Sequence, residues 1–343
     1  MAKLTGNFSL LLVVLSLVCI SSLPLASAGA PRIARTPRSH EHRHQRQLDE
    51  IVGRGARPRV HTFEDKSAPI TYGGGPVMTG NPSVNVYIIY YGSWPAGSGQ
   101  NIIENFIRSL SANSKQQGGP ADPKVKRWWA ISAAYTQTGE DGTTKNVSSK
   151  VRLGRSVYDN YSVGTDFDDG TNYGDTTVFE VISSKIGAGK PLPYDASGIY
   201  LVLTSKDVTV PGFCTDYLGW HDMYHIGSKP VVFAFVGHHG QCNQDWIPDP
   251  SPNGNPGIDF TLSTIAHEIA EAATDPDVQT GWGDENGENA DKCDMDVGQT
   301  KTGRDSRGGT YEYNLVGMKN MRFLIQSNWD WQKNMCVTQR KYQ

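Results

Sequence analysis

The chain has no excess of basic charge and, beyond its first residues, no long apolar run. Lysine and arginine number 32 against 35 aspartates and glutamates, which gives a net charge of −3. The concentrated basic face that marks a nucleic-acid-binding protein is therefore missing. No later stretch reaches the roughly 18 apolar residues that a spanning helix needs. We expect no nucleic-acid partner and no membrane span.

The N-terminus has the three parts of a secretory signal. Lys3 supplies positive charge, Leu10–Ile20 forms an apolar segment, and Ala26-Ser27-Ala28 offers small residues for cleavage. We predict a signal peptide over residues 1–28 and a mature protein outside the cell. Two N-glycosylation acceptors, Asn146-Val-Ser and Asn160-Tyr-Ser, agree with that location.

Cysteine is scarce, with five residues in 343. Cys19 leaves with the signal peptide, so an even number remains in an oxidising compartment, and this predicts two disulfides. Their count and spacing leave the pairing open. The four remaining cysteines are Cys214, Cys242, Cys293 and Cys336.

Two regions follow the signal peptide. Residues 29–61 are rich in Arg and His and lack an apolar pattern. Such a segment cannot bury enough surface to fold, so we predict a basic flexible tail or pro-segment. Residues 62–343 show no second domain boundary and no internal repeat.

Strand-like and helical runs alternate within residues 62–343, which predicts a single layered α/β domain with a mixed β-sheet flanked by helices. The strand-like runs are Val84–Tyr91, Val147–Tyr158, Gly198–Thr204 and Pro230–Val236, with a late pair at Tyr311–Leu315 and Met321–Ile325. The helical runs are Asn101–Ala112, Val125–Tyr135 and Thr177–Ile186.

The stretch Asp259–Pro276, DFTLSTIAHEIAEAATDP, predicts a buried helix with Asp259 as its N-cap and Asp275-Pro276 as its end. Most of its circumference is apolar, yet its ionisable residues fall along one stripe. Burying such groups is costly unless they are paired or bind a metal. We expect the chemistry of the protein here.

His267 and Glu271 are one helical turn apart on the same face, as two metal ligands on a helix must be. Glu268 takes the position at which zinc peptidases with a His-Glu-x-x-His helix hold their general base. The pattern predicts a zinc ion on a zincin-like active helix, with Glu271 in place of the second histidine.

A third ligand should come from beyond the helix, and Asp291 is the preferred candidate, followed by Glu288, Asp284 and Asp275. His221 is the preferred candidate for a second catalytic group that stabilises the transition state. Three other histidines compete with it as ligands or stabilisers: His225, His238 and His239.

Two other interpretations remain open. The polar stripe could be a structural network, with His267 bonded to Glu271 or Asp275 and Glu268 accepting backbone amides. Alternatively, Trp220 and Trp282 could line a carbohydrate groove, because flat aromatic faces suit sugar rings. Under either interpretation the protein has no catalytic activity.

Several blocks of the sequence resemble the EXORDIUM/phosphate-induced protein 1 family. They are GPVMTGNPSVNVYIIYYGSW, VKRWWAISAAY, FCTDYLGWH, FAFVGHHGQCNQDW and the C-terminal NMCV, and they extend from about Gly74 to Val337. The resemblance implies a secreted protein of the apoplast or cell wall, linked in land plants to growth and cell expansion. It brings no established biochemical activity.

The chain departs from the land-plant pattern at two cysteines and in the helix. A cysteine expected soon after Cys214 is replaced by Leu218, and one expected after Cys242 is missing. The resemblance thereby implies the pairs Cys214–Cys242 and Cys293–Cys336. Land-plant members lack the His-Glu pair of the helix, which reopens the question of a metal site.

Residues and resemblance together predict a secreted extracellular protein with a zinc-dependent, peptidase-like hydrolase site. Its partners would be an extracellular protein or peptide, or cell-wall polysaccharide. The alternative is a non-catalytic growth-signalling or glycan-binding protein of the apoplast.

Overall fold

The computed structural model describes residues 68–112, 124–168, 174–278, 280–284 and 287–341, all within one compact unit. The signal peptide predicted over residues 1–28 and the basic tail predicted over residues 29–61 lie outside these ranges. The described residues form four α-helices: α1 Gln100–Ser109, α2 Val125–Ser132, α3 Asp175–Lys185 and α4 Pro256–Thr274. They also form fifteen strands, most of them short: β1 Thr71–Tyr72, β2 Val84–Tyr91, β3 Thr136–Thr138, β4 Thr144–Asn146, β5 Val151–Asp159, β6 Gly198–Thr204, β7 Gly219–Ile226, β8 Lys229–Gly237, β9 Trp282–Gly283, β10 Lys301–Arg304, β11 Thr310–Tyr313, β12 Leu315–Val316, β13 Arg322–Phe323, β14 Asn328–Asp330 and β15 Met335–Val337.

Five of these strands form the central sheet, in the order β5–β2–β6–β8–β7. The first four run parallel to one another, and β7 runs antiparallel to β8 at one edge. Strands β2, β6 and β8 are rich in β-branched and aromatic residues and are buried over most of their length. Such runs are typical of strands covered on both faces. The predicted α/β fold with a mixed sheet flanked by helices is confirmed.

Two hydrophobic clusters cover the two faces of the sheet. The first joins α1, α2 and α4 to strand residues such as Val86 and Leu201. The second joins α3 to residues that alternate with these, such as Val202 and Phe235. Successive side chains of a strand point to opposite faces, so each buried strand contributes to both clusters. Helix α4 packs against β7 and β8 and thus covers one edge of the sheet.

Helix α4 begins earlier than the sequence predicts. Asn255 is its N-cap and accepts a hydrogen bond from the Ile258 N–H at 3.4 Å, and Pro256 fills the first helical position. Asp259 lies in the first turn, where its carboxylate accepts hydrogen bonds from Ser251 and Asn253. The prediction of Asp259 as N-cap is therefore wrong. The segment Pro256-Gly257, typical of a turn, instead starts the helix.

One strand of the central sheet is missed by the sequence analysis, and one predicted pair of strands is wrong in part. Sequence analysis does not predict β7, because its residues, GWHDMYHI, mix polar and apolar side chains without a clear apolar run. The late pair is wrong in part: β11 pairs with β10, whereas β12 pairs with β13.

Two disulfides stabilise the fold, and they join the same pairs that the family resemblance implies. Cys214–Cys242 has a Cα–Cα distance of 5.3 Å and lies among the residues of the α3 face. Cys293–Cys336 has a Cα–Cα distance of 5.5 Å and ties the 3₁₀-helix Asp291–Cys293 to β15. Among the helices in the described ranges, none has the length and apolar character needed to cross a lipid bilayer.

Candidate metal centre

The ionisable stripe of α4 lies inside the protein. Fifteen of its 19 residues are buried, among them His267, Glu268 and Glu271. The helix lies between the sheet and the segment that contains Asp291, so its polar face meets β7 on one side and the 3₁₀-helix Asp291–Cys293 on the other.

The side chain of His267 is fixed in one orientation by Gln326. The Gln326 amide nitrogen donates to the Ala290 carbonyl at 2.9 Å, so the amide oxygen faces His267 Nδ1 at 3.1 Å. A carbonyl oxygen only accepts, and therefore Nδ1 carries the hydrogen. The other ring nitrogen, Nε2, faces Glu271 Oε2 at 3.1 Å and Asp291 Oδ1 at 3.3 Å. A neutral imidazole would direct its lone pair at these oxygens, so a proton or a cation has to lie between them.

Glu271 has its two carboxylate oxygens in different roles. Oε1 accepts the backbone N–H groups of Ala290 and Asp291, at 3.2 and 3.0 Å. Oε2 faces the two histidines, at 3.1 Å from His267 Nε2 and 3.7 Å from His221 Nδ1. Partners of this kind orient ligands in metal sites. Glu271 is thus held with Oε2 directed at the space that it shares with His267 Nε2 and Asp291 Oδ1, which we call the centre.

Strand β7 brings His221 to the same place. Alternation along the strand turns His221 towards α4, whereas Trp220 packs against Phe233 and Phe235 on the opposite face. His221 Nε2 lies 3.0 Å from the Asp275 carbonyl oxygen, and its Nδ1 lies 3.6 Å from Glu268. The structure therefore places the predicted second catalytic residue beside the predicted base.

The two most favoured candidates for the third ligand both reach the centre. Asp291 lies with His267 and Glu271, and Glu288 lies with His221 and Glu271; within each set the potential ligand atoms are within 4.8 Å of one another. The two sets share Glu271. Ligand atoms about 2.0–2.2 Å from a tetrahedral zinc lie about 3.3 Å apart, which agrees with the distances at His267. The donor set, imidazole nitrogen and carboxylate oxygen, fits zinc.

The other two acidic candidates, Asp284 and Asp275, belong to neither of these sets. Asp284 forms an ion pair with Lys292 at 2.9 Å, and the Asp275 carboxylate accepts the Gly281 N–H at 2.8 Å. The three other histidines also have separate surroundings: His225 is exposed, His238 accepts the Gly240 N–H, and His239 lies beneath Phe213 and Phe260.

Glu268 depends on a glycine in β7. A Cβ at position 219 would lie 2.7 Å from Glu268 Oε1 and 2.7 Å from Thr264 Cγ2, closer than real contacts allow. Gly219 therefore lets the carboxylate lie against the strand. Neither Gly219 nor Gln326 carries a sequence signal that would single it out, because their importance comes from contacts with residues distant in the chain.

The electrostatics of the centre reflect its burial and its excess of acids. Burial alone lowers the pKa of His267, but Glu271 and Asp291 outweigh it, so its pKa lies well above the ordinary value. His221 behaves likewise under the influence of Glu288 and Glu268. Burial raises the pKa of Glu268, and it raises that of Glu288 well above the usual range, although His221 opposes both shifts.

Four carboxyl groups thus face two imidazoles. Without a metal, the cluster must hold protons that it would otherwise lose. A divalent cation would supply the same compensation, and its binding would release those protons.

The other sequence candidates are separated from this centre. Trp220 and Trp282 belong to opposite faces of the sheet, and Trp282 is buried against Tyr135 and Trp331. They do not form a shared carbohydrate groove. Both glycosylation acceptors, Asn146 and Asn160, are exposed.

Fold and centre together define an α/β protein with a buried cluster of histidines and carboxylates beneath its sheet edge. The model of the phosphate-induced protein 1 conserved region matches residues 70–339, and the chain therefore belongs to that family. It is 33% identical over 297 residues to Protein EXORDIUM-like 3 of Arabidopsis thaliana, covering 78% of this chain and 82% of that protein. It is 28% identical over 233 residues to Protein PHOSPHATE-INDUCED 1 of Nicotiana tabacum, covering 62% and 67% of the two chains. No solved structure matches the chain.

Proposed function

We propose that this protein is a secreted, zinc-dependent hydrolase of peptide-like substrates that acts in the apoplast or cell wall. The observation that carries the proposal is the set His267, Glu271 and Asp291, whose ligand atoms converge. The set is supported from behind by Gln326 and by two backbone amides. The location is supported by the N-terminal leader sequence and the two disulfides.

His267, Glu271 and Asp291 would hold the ion, which when bound would polarise a carbonyl and make a water molecule easier to deprotonate. Glu268 is the general base, because it is adjacent to the ligands and has a raised pKa. His221 would stabilise negative charge that develops on the substrate oxygen through Nδ1, because its Nε2 faces the Asp275 carbonyl oxygen.

Metal content tests the proposal directly. The protein is purified without chelators, and its metals are measured by mass spectrometry beside its hydrolysis of a quenched fluorescent peptide library. We expect one zinc per chain in the wild type and none in His267→Ala. Because that change also leaves buried carboxylates without their partner, it should destabilise the protein by about 3–5 kcal/mol.

The matched control is His225→Ala, which removes an exposed histidine from the same strand as His221. It should keep the metal and the stability. If the wild type contained no metal and His267→Ala lost no stability, the proposal that these residues bind a metal would be wrong. Two ions per chain would assign the set His221, Glu271 and Glu288 as well.

A second candidate function has one observation in its favour. The side chains of His221, His267, Glu268 and Glu271 are at most 5% exposed. A non-catalytic growth-signalling or glycan-binding protein could use this cluster as a structural network. Such a protein would fold and bind its partner without stoichiometric metal, so the same measurement separates the two functions.

A further inference from the structure

A groove of about 650 Å³ opens beside the metal centre. Its walls come from the segment before α4, from the first turns of α4, and from β10 and β11. This volume is in the range of ligand-binding pockets.

The inner end of the groove borders the residues assigned to catalysis. Ser263, Thr264 and Gln326 line it. Gln326 is bonded to His267, and Thr264 precedes Glu268 by one helical turn on the same face. Leu218, also in the lining, is adjacent to Gly219, against which Glu268 lies. A molecule in the groove would extend towards Glu268.

The lining is acidic. Five carboxylates contribute to it, and none of the described lining residues is Lys, Arg or His. Asp245, Asp249 and Glu312 are exposed, whereas Asp259 and Asp294 are buried.

Arg307 and Arg322 lie nearby, but neither is among the described residues that line the groove. Arg307 lies 3.8 Å from Asp249 in a pair in which both side chains are largely exposed, and Arg322 donates to the Tyr311 hydroxyl. An exposed pair of this kind neutralises little. The three exposed carboxylates therefore give the groove a negative potential that attracts positive charge.

The remaining lining favours a side chain with an apolar stem. Phe260, Met295 and Tyr311 supply apolar surface beside the carboxylates. Four prolines, at positions 248, 250, 252 and 256, fix the backbone of one wall. A wall already in its binding conformation loses little entropy when a ligand binds. Arginine and lysine side chains combine an apolar stem with a charged end.

We propose that this groove binds an extended peptide segment with a basic side chain and presents the neighbouring peptide bond to the centre. The inference rests on the proposed hydrolase for its second part. The first part, recognition of a basic peptide, depends only on the groove.

Binding can be measured separately from cleavage. Glu268→Gln in the full mature chain is titrated with fluorescein-labelled Ala-Ala-Pro-Arg-Ala-Ala and with the same peptide carrying Glu in place of Arg, by fluorescence anisotropy. At about 50 mM salt we expect the Arg peptide to bind at least about tenfold more tightly, and the preference to shrink at about 500 mM because salt screens exposed charges. Equal affinities would overturn the proposal.

Charge reversal assigns the preference to the groove. Asp245→Lys combined with Glu312→Lys should weaken the Arg peptide by at least about tenfold and tighten the Glu peptide. Glu140→Lys makes the same kind of change on the exposed turn between β3 and β4 and should alter neither. Displacement of the Arg peptide by cellohexaose would identify a glycan groove and overturn the proposal.

Cleavage then separates the two claims. If the Arg peptide binds preferentially but the wild type never cleaves it, the groove assignment stands and the hydrolase proposal fails. If both peptides are cleaved equally and bind equally, the hydrolase stands and the basic preference is wrong.

Discussion

His267 and Glu268 are neighbours in the chain but have different partners. His267 lies between Gln326, Glu271 and Asp291, whereas Glu268 lies between Gly219 and His221. Under the proposed function, His267 would therefore be a metal ligand and Glu268 would lie on the reacting side of the centre.

Glu268→Gln should separate metal binding from catalysis. Because Glu268 belongs to neither set of potential ligands, the variant should keep its metal and its fold. Loss of a general base should lower kcat by about 10²–10⁴-fold. Metal analysis, a thermal melt and peptide hydrolysis measure the three properties on one preparation. If the variant lost its metal, Glu268 would be a ligand and the assignment of the base would be wrong.

At the scale of elements, β7 and α4 define the centre by their close approach. Gly219→Ala should act on Glu268 through that contact. The added Cβ would push the carboxylate from its position, and we expect a loss of about 1–3 kcal/mol in stability, as for other overpacked sites. Hydrolysis should fall by about tenfold or more while the zinc content stays at the wild-type level.

Gly227→Ala, in the turn between β7 and β8, is the control. Its φ of 64° makes alanine unfavourable, but a Cβ there meets nothing within 4 Å. It should reduce stability and leave hydrolysis unchanged. Equal effects of both variants on hydrolysis would mean that the hairpin as a whole, not the contact with Glu268, controls activity.

Helix α4 is easier to predict from the sequence than β7 is. Its apolar pattern and the spacing of His267, Glu268 and Glu271 indicate a helix, and its end is predicted correctly. His221 could be proposed as a candidate by residue type alone. Its position across from Glu268 depends on an antiparallel edge strand whose polar residues hide the strand pattern. Contacts between distant segments are not encoded in any local pattern.

An ion pair joins β5 to α3 and predicts how stability depends on pH. Lys185 Nζ lies 2.8 Å from Asp159 Oδ2, and Ser162 donates to the same carboxylate through its N–H and its hydroxyl. Burial would raise the pKa of Asp159, but these donors outweigh it, so its pKa is lowered. A lowered pKa in the folded state stabilises the protein at pH values above the pKa that the group has in the unfolded chain. This stabilisation is lost as the pH falls through the pKa of the folded state.

Asp159→Asn should therefore lower the free energy of unfolding by about 2 kcal/mol at pH 7, which is the scale of a hydrogen bond to a charged group. The difference in the free energy of unfolding between variant and wild type should become smaller below about pH 4, where the wild-type carboxyl begins to take up its proton in the unfolded chain. Urea unfolding at pH 7 and pH 3 measures both values, with Glu140→Gln as an exposed control. A difference that stayed constant with pH would show that the ion pair does not stabilise the fold.

At the scale of the whole molecule, the centre is assembled from segments far apart in the chain. His221, the α4 residues, Asp291 and Gln326 span about a hundred positions, so the fold must fix several segments at once. The sequence favours a third ligand from the segment Gly287–Cys293, because a disulfide at Cys293 holds that segment in place. The role of Gln326 could not be predicted, since no chemistry marks a single glutamine.

The two disulfides should have different consequences when removed. Cys293–Cys336 ties down the 3₁₀-helix that begins at Asp291, whereas Cys214–Cys242 lies on the α3 face of the sheet. Cys293→Ser with Cys336→Ser should lower stability by about 2–4 kcal/mol and also weaken zinc binding, because Asp291 loses its support. Cys214→Ser with Cys242→Ser should lower stability by a similar amount and retain zinc. Chemical unfolding and competition with a fluorescent zinc chelator measure the two effects. Equal zinc affinity in both double variants would show that the backbone contacts of Glu271 hold Asp291 in place without the disulfide.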